Sequence, residues 1–272
     1  MTRKLLILLT LIALCAGTAL AQDESEDEPP DCPSFEGSSA EVRTGYYMGE
    51  GEGFTRSGQV QSAIMSYTCI IEVIDGDYLP AYIRRAVLYT QRREYELAIE
   101  DYTAIIQRDS GSVAAHNNRG IVYALMAEYE SALDDFNDAV ELDSEFVIGL
   151  NNRAVLYALQ GDYQAALDDL DAAIAISGID DILALIRDPE RDDEEEIPEF
   201  TRADSLSFAL RGIVRSWQAL DNYNDYITLT GGGDNRIQSA AGALESRFTF
   251  ELRLDDGAWL MTASFADEEA EQ

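Results

Sequence analysis

The chain contains a single lysine, Lys4, and a single histidine, His116. One histidine cannot make the clusters that bind metal or relay protons. Patterns of the G-x-S-x-G, H-E-x-x-H and phosphate-loop kinds are absent, and Gly231-Gly232-Gly233 precedes no lysine. Carboxylates abound, so their pairing carries no catalytic specificity. The acidic run from Asp192 to Glu196 lacks the glycine and the distant glutamate of a calcium loop. These absences exclude the common enzyme classes, and no catalytic residue, cofactor or metal is expected. Cationic residues are also scarce, 19 against 52 acids, for a net charge of −33. A field of that sign repels nucleic acid and anionic lipid, so neither is an expected partner.

Long apolar runs are missing apart from Leu5 to Ala16, shorter than the ~20 residues of a membrane-spanning helix. Arg3-Lys4 before this run and Ala19-Leu20-Ala21 after it read as a secretory signal peptide cleaved after Ala21. The mature chain is then expected outside the cytoplasm, secreted or periplasmic, with 17 arginines, 52 acids and a net charge of −35. Of three cysteines, Cys15 leaves with the leader. Cys32 and Cys69 remain as an even pair in a compartment where disulfides persist. Joining them would tie the N-terminal tail to the first helical pair. The alternative, a redox couple, lacks the C-x-x-C spacing.

What the chain does have is an internal repeat. Ala86, Tyr89, Tyr95, Ala98 and Tyr102 recur 34 residues later as Gly120, Tyr123, Tyr129, Ala132 and Phe136. They recur again as Ala154, Tyr157, Tyr163, Ala166 and Leu170. A period of this length marks a solenoid of stacked supersecondary units. Each copy divides into two amphipathic helices around a turn, near Glu128 in one copy and at Gly161-Asp162 in the next. Small residues stand where the helices approach closely, and aromatics fill the wider gaps. A more divergent copy with Tyr47, Gly51, Ala63 and Tyr67 precedes these, offset by one extra residue placed near Asp75-Gly76-Asp77.

The expected layout is a signal peptide at 1–21, a disordered acidic leader at 22–43 and repeats at 44–78, 79–112, 113–146 and 147–180. An acidic linker at 181–203 and a degenerate or capping helical pair at 204–230 follow. In that pair Leu206, Leu210, Ile213, Val214 and Trp217 share one face. At 231–266 a weak helix precedes a β-hairpin, in which Phe248 to Leu254 and Trp259 to Phe265 alternate around Asp255-Asp256-Gly257. A lone hairpin is marginal in water and should pack on a helix or another chain. An acidic tail, 267–272, ends the chain.

The repeat resembles the tetratricopeptide repeat (TPR) family, in an exported bacterial setting. The period, the order of small and aromatic residues and the turn before the second helix agree. The family's frequent inter-repeat proline is replaced by Ser110, Ser144 and Gly178. The resemblance implies an all-α solenoid of helical hairpins, a right-handed superhelix whose concave groove is lined by first helices, here with a small C-terminal β-hairpin. It also implies groove residues. Arg84, Asn118 and Asn152 share one phase of successive first helices, where family members use asparagine to grip a peptide backbone. An amide carries a donor and an acceptor and so satisfies a peptide unit whatever its side chain. Asn117, Asn151, Ile121, Val155 and Val87 would border the same surface.

A second ladder, Arg85, Arg119 and Arg153, repeats in step with Asp101, Asp135 and Asp169. Because every copy supplies its own acid, structural ion pairs are expected rather than recognition of an acidic peptide. His116 is expected to pack in the core. The functional expectation is non-catalytic binding of an unidentified protein or peptide in the groove. The alternative is an envelope-assembly factor using its outer faces and the hairpin.

Overall fold

The computed structural model describes residues 32–33, 35, 37–178, 206–207, 209–215, 217–218, 248–255 and 257–265. The expected signal peptide, linker at 181–203, weak helix before the hairpin and acidic tail lie outside the described residues. Among the described residues the fold is all-α apart from one hairpin. The chain divides into two compact units, one ending at Asp135 and the other beginning at Phe136.

In the first unit, α1 (Ala40–Arg56) pairs with α2 (Val60–Cys69), and α3 (Leu79–Arg92) pairs with α4 (Tyr95–Arg108). Helix α5 (Val113–Leu125) packs on α4, and the division falls within α6 (Tyr129–Leu142). Helix α1 begins four residues before the expected repeat boundary because Ser39 caps it, its hydroxyl accepting from the Val42 N–H at 3.3 Å. Pro80 lies in the first turn of α3, where no helical partner needs its missing N–H. The core runs through Ala63, Tyr67, Ile70, Ala86, Ala98, Tyr102 and Ile105, none more than 1% exposed. The small residues allow close approach. A Cβ on Gly51 would stand 2.5 Å from the Tyr67 ring, so this glycine is required by packing.

The extra residue of the first repeat is not taken up in the Asp75–Asp77 loop. It is absorbed earlier, where α2 widens into one π turn, Ile70–Ile74, closed by the Asp75 N–H donating to the Ile70 carbonyl at 2.8 Å. A π turn is how a helix accommodates one inserted residue without losing its direction. A disulfide joins Cys32 to Cys69, with Cα atoms 5.6 Å apart. Beside it the Tyr47 hydroxyl donates to the Pro33 carbonyl at 3.0 Å.

In the second unit, α7 (Val147–Gln160) pairs with α8 (Tyr163–Ser177). Helical residues within 206–218 place Leu206, Leu210, Ile213 and Val214 in a core with Ala154, Ala166 and Leu170. Arg211 Nη1 donates to Asp171 Oδ1 at 2.8 Å, fastening this helical segment to α8. Strands β1 (Phe248–Asp255) and β2 (Ala258–Phe265) form the antiparallel hairpin, with Leu254 opposite Trp259 and Asp255 opposite Ala258. Gly257 takes the positive φ of 81° that the tight turn requires. Helices α3, α5 and α7 start at residues 79, 113 and 147, a spacing of 34.

Candidate functional site

The arginine ladder is built the same way in three successive repeats. Arg85 donates from Nε and Nη2 to the two oxygens of Asp101 at 2.9 and 2.7 Å. Arg119 meets Asp135 at 2.9 and 2.7 Å, and Arg153 meets Asp169 at 2.8 and 2.7 Å. These are bidentate fork-to-carboxylate pairs between the two helices of one repeat. The remaining donor, Nη1, reaches the second helix of the preceding repeat. It finds Thr68 Oγ1 at 3.0 Å, Thr103 Oγ1 at 3.0 Å and Asn137 Oδ1 at 2.8 Å. Each arginine thus ties three helices, and the ladder is consumed by structure. Sequence reasoning missed Thr68, Thr103 and Asn137, although Thr103 and Asn137 keep the repeat's spacing and Thr68 is displaced from it only by the first repeat's extra residue. Burial pushes the Asp101 carboxyl up against the lowering effect of Arg85. For Arg153 the hydrogen bond it donates to Asp169 holds the guanidinium above its ordinary value. His116 is buried, with Nδ1 3.5 Å from Asp135 Oδ1.

The positions expected to line a groove fall in three different environments. Arg84 is exposed and lies 3.6 Å from Glu52. In the first unit Asn117 and Asn118 are buried, and Asn117 Nδ2 donates to Asn118 Oδ1 at 3.1 Å. Ile121 and Val87 are buried. In the second unit Asn151, Asn152 and Val155 are buried as well. Apart from Arg84, these side chains therefore do not line an open surface in this state.

What covers Asn152 is the chain's own C-terminal hairpin. Asn152 Nδ2 donates to the Trp259 carbonyl at 2.8 Å, and its Oδ1 accepts from the Met261 N–H at 3.0 Å. Leu260, between them, pairs with Arg253 of β1, so its peptide groups face the opposite edge. Asn152 therefore occupies the free edge of β2 and takes the place of one peptide unit of a third strand. Only one orientation of the amide satisfies both contacts. The Leu260 side chain is fully buried in the core that holds Ala154, Val155 and Ala158. Ala258 and Trp259 are buried too. The alternating pattern of the hairpin signalled a helix-packing face. Nothing in its spacing named Asn152 as the receiver, because the contact joins residues 107 apart in the chain.

A tetratricopeptide repeat family profile matches residues 83–145 and, overlapping them, 126–180. No curated protein matches the chain. Among solved structures, a tetratricopeptide repeat protein from Parabacteroides merdae ATCC 43184 is similar over 75% of this chain and 72% of its own, at 17% identity and a TM-score of 0.51. A MamA protein is similar over 71% of this chain and 98% of its own, at 17% identity and a TM-score of 0.48. The first TPR of Spaghetti (RPAP3), bound to an HSP90 peptide, is similar over 44% of this chain and 94% of its own, at 18% identity and a TM-score of 0.42. At such identities the Parabacteroides structure speaks for the fold alone. With the profile match and the three-fold ladder in register, residues 83–180 of this chain are tetratricopeptide repeats.

Proposed function

We propose that this chain is a non-catalytic protein-interaction scaffold that acts outside the cytoplasm and receives an extended peptide segment on the first helix of a repeat. The observation that carries the reading is the two-point grip of Asn152 on an extended backbone at Trp259 and Met261. Asn152 belongs to the phase at which the family's asparagines hold peptides. The contact is to backbone atoms only, so it sets strand geometry and leaves side-chain choice to the surrounding apolar core.

The test is selection of a displayed library of linear peptides. It is run on the full chain and, in parallel, on full chains carrying Met261→Pro or Leu260→Asp, which weaken the seating of β2. Enriched peptides should lose about tenfold in affinity when Asn152→Ala is added, the loss of a paired amide contact of about 1.4 kcal/mol. Far-UV circular dichroism should stay unchanged. Failure to enrich any Asn152-dependent peptide on any of these hosts, with helicity intact, overturns the reading.

A further inference from the structure

We infer that β2 is a tethered ligand. Helix α7 presents a strand-receiving site that the chain's own C-terminal hairpin fills, and a partner segment of the same chemistry must displace it. The inference rests on the peptide-scaffold reading above and adds what occupies the site and what the competitor must be.

Three observations converge. The first is the amide grip, which satisfies the Trp259 carbonyl and the Met261 N–H on the outer edge of β2. A strand edge is an open row of donors and acceptors, and Asn152 answers one repeat of that row without itself being strand. The second is Leu260, fully buried between the two gripped groups in the core of Ala154, Val155 and Ala158. Together these define the site's chemistry: one aliphatic side chain inward, with one peptide group held on either side of it. The third is composition. β2 reads AWLMTASF and carries no charge, although the chain bears 52 acids against 19 bases. An uncharged strand can sit in this field without repulsion, but it gains nothing from it. A competing segment with an aliphatic centre and basic flanks gains attraction that β2 lacks. The partner fitting the site is therefore an extended, aliphatic-centred segment with flanking arginine or lysine.

Tethering gives β2 a high effective concentration at α7, so a free segment of equal intrinsic affinity competes poorly. Release of β2 is thus what sets apparent affinity.

The probe is a fluorescein-labelled peptide of residues 256–266, titrated by anisotropy against the full chain. Met261→Pro removes the N–H that meets Asn152. That N–H points away from β1, so the hairpin ladder is spared. The Met261→Pro chain should bind the peptide at least tenfold more tightly than the unaltered chain, and adding Asn152→Ala should abolish the gain. Leu260→Asp is the second way to unseat β2, used where Met261→Pro lowers helicity. Two folded, monomeric variants that bind the peptide no better than the unaltered chain overturn the inference. Library peptides that bind the unaltered chain as tightly as the opened ones leave the scaffold reading standing and defeat the tethered ligand. An opened chain that binds residues 256–266 but never enriches a library peptide does the reverse.

Discussion

At the scale of single residues, the Arg85–Asp101 pair shows what the ladder costs and contributes. The Asp101 side chain is 4% exposed and that of Arg85 12%, so both charges are largely removed from water. Burial raises the Asp101 carboxyl above its ordinary value even with the guanidinium in place. A raised carboxyl means that the folded chain holds a proton there more readily than the unfolded chain. The stabilising contribution of this group is then complete below its unfolded value and is lost as pH rises through its folded one. The pair should therefore behave as a specificity device rather than a net source of stability. Asp101→Asn, which leaves Arg85 charged without its acid, should lower urea-unfolding stability by about 3 kcal/mol. Replacing the two together, Arg85→Met with Asp101→Leu, should restore most of that loss. A double replacement as damaging as the single one would show that the pair itself stabilises. The charged partners were legible in the sequence because opposite charges recurred in one phase. Thr68, Thr103 and Asn137 were not, because a hydroxyl and an amide oxygen serve the arginine alike as acceptors while the residue type changes, which no composition pattern records.

At the scale of elements, the hairpin turns repeat a backbone conformation that the residue types conceal. Gly58, Arg93, Ala127 and Gly161 all have positive φ, 73°, 64°, 62° and 88°. The last three are 34 residues apart, so the repeat demands a left-handed residue between its helices. Only the glycines advertise it. Arg93 and Ala127 hold a conformation that a Cβ disfavours, and the packed helices on either side enforce it. Ala127→Gly should accordingly raise stability by about 0.5–1 kcal/mol, read as a higher urea midpoint at constant slope. Gly161→Ala should move the midpoint the other way. Equal midpoints for Ala127→Gly and the unaltered chain would mean that added freedom in the unfolded state cancels the relief. Helix pairing and period were readable because small and aromatic residues mark close and wide contacts in every copy. The π turn at Ile70–Ile74 was not, because an inserted residue shifts the count but leaves no signature at the site that absorbs it. The hairpin was readable from its alternation, and its docking on α7 was not, because register between distant segments is set by tertiary packing.

At the scale of the whole molecule, charge and recognition pull in opposite directions. A net charge of −33 destabilises any compact form through self-repulsion, an effect that salt reduces as the Debye length falls from about 10 Å at 0.1 M to about 3 Å at 1 M. The bidentate ladder is largely buried and loses little to the same screening. The melting temperature should therefore rise between 0.05 and 0.5 M sodium chloride, concentrations on the order of those that change screening most. Capture of a basic-flanked competitor depends on the field that salt removes. Its affinity for the unaltered chain should fall over the same range, while binding of the uncharged 257–266 core to the Met261→Pro chain stays nearly constant. Calorimetric melting and anisotropy titration in matched buffers read the two responses. A basic-flanked peptide as indifferent to salt as the uncharged core would show that the acidic surface serves solubility alone. The selectivity of the α7 site would then rest on Asn152 and the pocket around Leu260, with no part played by the chain's charge.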